Sequence, residues 1–260
     1  MIWFRGLLIN LQFFTSIPIP FALPMDNDHL EKAIKTFPLL GLLQGGIYAF
    51  LLYAVTEWTP FSDLAAVFLL WVAAIILSGG IHLDGWIDAS DAFFSYRDKE
   101  KRLEIMKDPR TGAFGVLSVI VLLSTRFFLI YEIVTMLEPA TYLFVAAIPF
   151  LGKMVMGVLL VSVKPAKQEG LGALFTNAST KKTLLIYPVY LLALSAAFFS
   201  LAVIWITVFL VVTVLIALFL RRKILRCFGG MTGDLLGASV EGTEVLLWMT
   251  LWLLHYFAMG

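Results

Sequence analysis

Long apolar runs dominate this chain and restrict its fold more than any other feature of the sequence. Seven of them lie at roughly 38–56, 61–81, 113–136, 140–163, 184–201, 202–220 and 244–259. A helix needs about 20 apolar residues to cross the hydrocarbon layer of a bilayer. The runs therefore predict an all-α integral membrane protein, a polytopic bundle of about seven transmembrane helices in one domain over residues 1–260.

The composition supports this class and excludes others. Hydrophobic residues make up 60% of the 260 and charged residues 14%, whereas soluble domains are about 45–50% apolar and about 25% charged. An ordinary soluble enzyme, a disordered chain and a nucleic-acid binder are thereby excluded. The single cysteine, Cys227, excludes an internal disulfide and a metal site built from cysteines alone.

The first 24 residues do not have the pattern of a cleaved signal peptide. They hold one early cation, Arg5, and their apolar stretch is interrupted by Pro18 and Pro20, with no small-residue cleavage motif behind it. We expect a retained short helix that lies in the membrane interface or within the bundle.

The positive charges have a strongly uneven distribution. All of the 19 Lys and Arg residues except Arg126 and Lys153 lie in the segments 1–37, 82–112, 164–183 and 221–243. No Lys or Arg occurs in the alternate loops, which lie near 57–60, 137–139 and 201. Because cytoplasmic loops are enriched in Lys and Arg, the pattern predicts a multi-pass cell (inner) membrane protein with its basic loops in the cytoplasm. It also favours two spans within 184–220.

The segment 79–91, GGIHLDGWIDASD, is the first of three polar motifs beside these spans. On a helix, Asp84, Asp88 and Asp91 lie within about 60° of one another. Three carboxylates on one stripe suit a hard cation, and Mg²⁺ is the usual choice where phosphates bind. On a continuous helix, the side chain of His82 points about 160° away from that of Asp84. His82 is therefore either a polar residue with a protein partner at the helix end or a ligand.

The segment 102–115, RLEIMKDPRTGAFG, is the second motif. Lys107 and Arg110, with Asp108 between them, suit phosphate binding, because Arg can contact phosphate through two N–H groups and Lys supplies a point charge. Gly112 and Gly115 would let the backbone come close to a bound group.

The segment 229–244, GGMTGDLLGASVEGTE, is the third motif. Asp234 and Glu241 are seven residues apart and so share a helix face. Gly233 and Gly237 predict a small-residue face for close helix packing. Thr232 is expected to cap the start of this helix.

Together these strings resemble the cobalamin synthase family, the adenosylcobinamide-GDP ribazoletransferases. The resemblance rests on residues 79–115 and 229–244, with further matches in LQFFTSIPIP at 11–20 and FPLLGLLQGG at 37–46. It implies an Mg²⁺-dependent inner-membrane enzyme of late cobalamin assembly. A ribose hydroxyl of α-ribazole, or of α-ribazole 5′-phosphate, would attack the cobinamide-side phosphorus of adenosylcobinamide-GDP and release GMP.

The motif residues suit that chemistry, because transfer at a pyrophosphate requires negative charge to be neutralised. We assign Asp84, Asp88, Asp91 and Asp234 to metal binding, and Asp91 or Glu241 to acceptance of the ribose proton. The expected substrate-binding residues are His82, Glu104, Lys107, Asp108 and Arg110. The expected partners are the two substrates and the lipid bilayer, with a homo-oligomer left open.

Three other functions remain open from the sequence. A CDP-alcohol phosphotransferase that makes phospholipid would also grip Mg²⁺ and a pyrophosphate, but its pattern has Ala-Arg after Asp-Gly, whereas Trp86-Ile87 follows Asp84-Gly85 here. A prenyltransferase would show two separate Asn/Asp-x-x-x-Asp motifs. An ion-coupled transporter would hold its acids near the membrane midplane, in broken helices of paired halves.

Overall fold

The chain folds into a bundle of α-helices. The structure is a computed structural model that describes residues 1–166, 170–198 and 203–259. Its helices are α1 Ile2–Phe14, α2 Asn27–Trp58, α3 Asp63–Ser78, α4 Ile81–Phe94, α5 Lys99–Ile105, α6 Ala113–Val134, α7 Pro139–Ser162, α8 Leu171–Ala178, α9 Tyr187–Phe198, α10 Val203–Phe228 and α11 Gly233–Leu254. A 3₁₀ turn, Lys181–Ile186, leads into α9, and a π turn, His255–Met259, follows α11. The predicted all-α class is confirmed.

Five of the described helical segments are long and apolar enough to cross a membrane, and the bent pair α3–α4 makes up to six. About seven were predicted. The missing one is the run 244–259, which forms the second half of α11 and the turn behind it. The predicted division of 184–220 separates α9 from α10, but its loop at 201 lies outside the described residues, as does Lys167.

Although it is not counted among those spans, α11 runs antiparallel to α7 along the length of the bundle. At one end Pro165, just behind α7, forms a bridge with Met231, just before α11. At the other end His255 Nε2 lies 2.8 Å from Thr141 Oγ1 in the first turn of α7. The acids of α11 make it less apolar than its neighbours, but it lies inside the bundle, where its polar groups can find partners.

The packing of α2 against α7 forms the centre of the molecule. Most of α7 is buried, with 83% of its most apolar stretch inside the bundle. On α2, Gly41 and Gly45 face the backbone of α7, and a β-carbon at either would collide with the carbonyl oxygen of Pro149 or Ala146. Small residues four apart allow such close approach of two helices in a membrane.

The N-terminal helix α1 packs within the bundle, as one of the two predicted alternatives. The side chain of Asn10 donates from Nδ2 to the carbonyl of Ala33 at 2.8 Å and to Thr36 Oγ1 at 3.0 Å. A β-carbon at Gly6 would come within 2.8 Å of the backbone at Lys32 and Ala33. Helix α1 therefore lies directly against α2.

The break between α3 and α4 turns the chain by 84°. Gly79 ends α3 at φ 66°, and Gly80 begins α4 at φ 77°. Side chains disfavour this left-handed region, whereas glycine enters it at little cost. The first polar motif was expected at the end of a membrane span, but the glycine pair places its acids on a helix of their own, α4.

Candidate active site

Four carboxylates gather where α4 meets the start of α11. Asp84, Asp88 and Asp91 lie on one stripe of α4, as predicted, and Asp84, Asp91 and Asp234 each interact electrostatically with Asp88. Asp84 is exposed, whereas Asp88, Asp91 and Asp234 are partly buried. The arrangement concentrates negative charge on one side of α4.

Two glycines bring α4 and α11 close enough for this. A β-carbon at Gly85 would lie 2.5 Å from the carbonyl oxygen of Asp234, and one at Gly237 would lie 3.1 Å from the Cα of His82. Gly233, the other predicted packing glycine, has nothing within 4 Å of its β-position. Gly85 of α4, and not Gly233 of α11, therefore allows the close packing of the two helices. The sequence feature that could have indicated this is a glycine within the first motif, directly after Asp84.

The first turn of α11 is capped as predicted. The hydroxyl oxygen of Thr232 accepts the backbone N–H of Leu235 at 3.2 Å. Just before it, Met231 exchanges two hydrogen bonds of 2.8 Å with the segment behind α7, donating to Lys164 and accepting from Ala166. These contacts fix the position at which Asp234 enters the site.

Both carboxylate oxygens of Asp91 have backbone partners. Oδ2 accepts the N–H of Gly112 at 2.7 Å and Oδ1 accepts the N–H of Gly115 at 2.8 Å. A β-carbon at either glycine would collide with this carboxylate. The two glycines were predicted to admit a bound group, and in the structure that group is a side chain of the protein itself.

A cavity of about 340 Å³ adjoins the carboxylates. Its wall includes Asp84, Asp234 and His82, together with the rings of Phe14 and Phe175. It therefore offers negative charge beside an apolar surface. Within the described residues, no three His, Cys, Asp or Glu side chains stand close enough together to enclose a metal ion.

His82 lies at the back of this cavity and is 2% exposed. Its Nε2 is 3.1 Å from Lys153 Nζ, and its ring stacks on Phe14 with centroids 5.9 Å apart. It is thus a polar side chain with a protein partner, which agrees with the first of the two predicted alternatives, and its role as a ligand stays a prediction.

Helix α5 and the loop that follows it carry the other predicted substrate-binding residues. Arg110 donates to both carboxylate oxygens of Asp108 at 2.9 and 2.6 Å, and this holds the pKa of Asp108 at about 2, below its ordinary value. Glu104 pairs with Lys101 at 2.7 Å. Lys107 and Arg110 are exposed, and Gly112 joins this loop to Asp91.

Glu241 lies in the buried core, where its partner is a cation and not one of the four aspartates. It is 2% exposed and forms an ion pair with Arg126 of α6. The sequence left open whether Arg126 pairs with Glu132 or reaches the membrane surface, and in the structure its partner is Glu241. One turn further along α11, Glu244 lies 3.9 Å from Lys153 Nζ. The sequence feature that could have indicated these pairs is the presence of single cations within two apolar runs and of acids within a third.

Comparison with known proteins gives one consistent answer. The model of a protein family described as CobS, cobalamin-5-phosphate synthase, matches residues 6–252. Proteins named adenosylcobinamide-GDP ribazoletransferase are similar over nearly the whole length. That of Geobacillus sp. (strain WCH70) is 40% identical over 98% of this chain and 97% of its own. That of Geobacillus thermodenitrificans (strain NG80-2) is 41% identical over 98% of both. No solved structure matches significantly.

Proposed function

This chain belongs to the cobalamin-5-phosphate synthase family, and on that basis we propose that it is an adenosylcobinamide-GDP ribazoletransferase. In the proposed reaction a ribose hydroxyl of α-ribazole, or of its 5′-phosphate, forms a bond to the cobinamide-side phosphorus of adenosylcobinamide-GDP. The bond from that phosphorus to the bridging oxygen breaks, GMP leaves, and the hydroxyl proton passes to a carboxylate. The observation that carries the proposal is the cluster of four carboxylates beside a cavity.

Mg²⁺ is the proposed cofactor. The donors available, Asp84, Asp88 and Asp234, are the oxygen ligands that this ion prefers, and Mg²⁺ typically takes one or two carboxylates and completes its shell with water and substrate phosphates. A group of carboxylates that leaves coordination positions free for water and phosphate suits Mg²⁺ better than a site in which the protein supplies every ligand. When bound, the ion would neutralise charge on the pyrophosphate.

The contacts of the carboxylates support a choice of proton acceptor within the proposed reaction. Asp91 already accepts two backbone N–H groups, and Glu241 is paired with Arg126 in the core. Among the described residues, Asp88 has neither kind of partner, and it interacts electrostatically with Asp84, Asp91 and Asp234. We therefore favour Asp88, while the assignments of Asp91 and Glu241 stay predictions that variants can decide.

Substrate binding is proposed for the cavity and the nearby loop. The apolar wall at Phe14 and Phe175 suits a flat ring system, and His82 lies beside it. Lys107 and Arg110 are exposed donors on the loop that Asp91 holds against α4. They are positioned to meet phosphate groups entering from solution.

A cytoplasmic orientation is supported by the way the basic segments meet at one end of the bundle. Arg102 donates to the carbonyl of Cys227 at 3.1 Å, which joins α5 to the end of α10. Met231 joins the segment behind α7 to the start of α11. Positively charged residues favour the cytoplasmic side of a membrane. The site would therefore lie on the cytoplasmic face of the cell membrane, where nucleotide substrates occur.

The test is GMP release by the purified protein in lipid, with adenosylcobinamide-GDP and α-ribazole 5′-phosphate, with and without Mg²⁺. We expect release that requires both substrates and the metal, together with a corrinoid product of the joined mass. Folded protein that releases no GMP under these conditions would contradict the proposed function, and CDP-alcohols would then be the substrates to try.

A further inference from the structure

A second, larger cavity lies on the opposite face of α4 from the carboxylates. It has a volume of about 610 Å³ and is enclosed by α4, α6, α10 and α11. On α4 its lining residues include Trp86 and Phe93, which lie about 160–180° around the helix from Asp84. The cavity is therefore separate from the candidate active site, with α4 as the wall between them.

This cavity opens towards the surface that would face the membrane. Phe114, Leu117 and Val121 on α6 and Phe219 on α10 line it, and each has more than half of its surface exposed. Both helices are apolar enough to span a bilayer. An exposed apolar slot between two such helices would open onto lipid chains.

One end of the cavity is positively charged. Lys223 lines it, with Nζ 4.7 Å from the ring centroid of Phe93. Arg102 lies beside it, with its guanidinium 5.5 Å from the centroid of Phe93 and 5.8 Å from that of Phe228. None of the described residues that line the cavity is acidic.

The guanidinium of Arg102 has capacity left for an anion. Its Nη1 donates to the carbonyl of Cys227, but its Nε is buried without a hydrogen-bond partner. The indole N–H of Trp86, in the cavity wall, is likewise buried without a partner. Unpaired buried donors are rare and costly, because a buried N–H loses its bond to water. An acceptor at the charged end would satisfy Arg102, whereas Trp86 lies seven residues before Phe93, about 10 Å along α4, in the apolar part of the cavity.

From this combination we propose that the cavity binds an anionic phospholipid. One acyl chain lies in the slot between α6 and α10, and the phosphate lies at Lys223 and Arg102. The apolar lining matches a hydrocarbon chain, and the two cations match a negative headgroup better than a zwitterionic one. Helix α4 also carries Asp84, Asp88 and Asp91 on its other face. A lipid bound in this cavity would therefore stabilise the position of the helix that holds these carboxylates.

Binding can be measured without any enzymatic activity. Delipidated protein in detergent is mixed with equal amounts of phosphatidylglycerol and phosphatidylcholine, and retained lipid is counted by native mass spectrometry. We expect at least fivefold preference for phosphatidylglycerol. Lys223→Gln should remove most of that preference. The matched control Arg222→Gln, which alters the neighbouring exposed cation outside the cavity lining, should leave it unchanged.

The position of the acyl chain is tested separately. Phosphatidylglycerol with brominated acyl chains should quench the fluorescence of Trp86, identified as the part of the quenching that Trp86→Phe removes. Ser118→Phe, which fills the slot from α6, should reduce this quenching severalfold, whereas Ser118→Ala should not. Equal retention of both lipids, or no quenching from Trp86, would overturn the proposal. So would full loss of the quenching on addition of adenosylcobinamide-GDP, because substrate would then be the occupant.

Discussion

Asp91 on α4 accepts the backbone N–H of Gly112, at the start of α6, at 2.7 Å. Because Gly112 has no side chain, α6 receives no cap from its own N-cap residue. The carboxylate of Asp91 takes that role, because it also accepts the backbone N–H of Gly115. A negative charge at a helix N-terminus is favourable. The contact therefore fixes α4 against α6 and holds the phosphate-binding loop candidate in place.

Gly115→Ala is expected to break this contact, because its β-carbon would collide with the Asp91 carboxylate. Loss of the N–H bond to a charged acceptor should lower the free energy of unfolding by about 1.5–3 kcal/mol, and turnover should fall about tenfold or more. Thermal unfolding in detergent and GMP release measure the two effects. The control is Gly46→Ala, since nothing lies within 4 Å of that β-position; equal stability of the two variants would contradict the cap.

Asp91→Asn separates a positioning role from a catalytic one. An amide keeps only one acceptor oxygen, so the variant should unfold at lower temperature than the native protein while retaining measurable turnover and an unchanged half-saturating Mg²⁺ concentration. Asp88→Asn should instead leave the unfolding temperature nearly unchanged and reduce turnover at least 100-fold. A stable, fully inactive Asp91→Asn would support the role that the sequence predicted for Asp91, as ligand or base.

Gly85→Ala tests the close approach of α4 and α11. The new methyl group would lie 2.5 Å from the carbonyl oxygen of Asp234, so the helices must separate and carry Asp84 and Asp88 away from Asp234. We expect a severalfold weaker response to Mg²⁺ and a clear loss of turnover in a kinetic titration with the metal. Gly233→Ala is the matched control, because its β-position is open. Native-like kinetics in Gly85→Ala would argue against a shared metal.

Glu241→Gln should be strongly destabilising, because it leaves Arg126 buried without its ion partner. Breaking a buried ion pair from one side typically costs about 3–5 kcal/mol, whereas replacing both members with apolar residues of similar volume is often neutral. The double variant Arg126→Met/Glu241→Leu should therefore recover the unfolding temperature that the single variant loses. If it also recovers GMP release, Glu241 is structural; a stable but inactive double variant would support the predicted catalytic role.

Much of the fold was predictable because long apolar runs indicate membrane-spanning helices. The runs at 113–136 and 140–163 correspond closely to α6 and α7. The helix α11 was harder to count, since Glu241 and Glu244 dilute its apolar character and only their burial beside Arg126 and Lys153 makes them compatible with the bundle.

For the candidate site, the sequence indicated which side chains share a helix face, but not which partners they contact. Helical periodicity placed Asp84, Asp88 and Asp91 on one stripe, and their shared face is observed. Periodicity could not show that Asp91 turns to the backbone of α6, nor that Glu241, on the same face of α11 as Asp234, is drawn into the core by Arg126. Both outcomes depend on contacts between helices far apart in sequence.

The charges of the buried core also set an order for biosynthesis. Arg126 and Lys153 lie on α6 and α7, whereas the acids that neutralise them both lie on α11, and Glu241 is 115 residues beyond Arg126. At a synthesis rate of about 5–20 residues per second, Arg126 exists for about 6–23 seconds before its partner is made. The nascent chain must therefore harbour two cations without their partners, and the arrival of α11 is the step that makes the bundle electrically neutral inside.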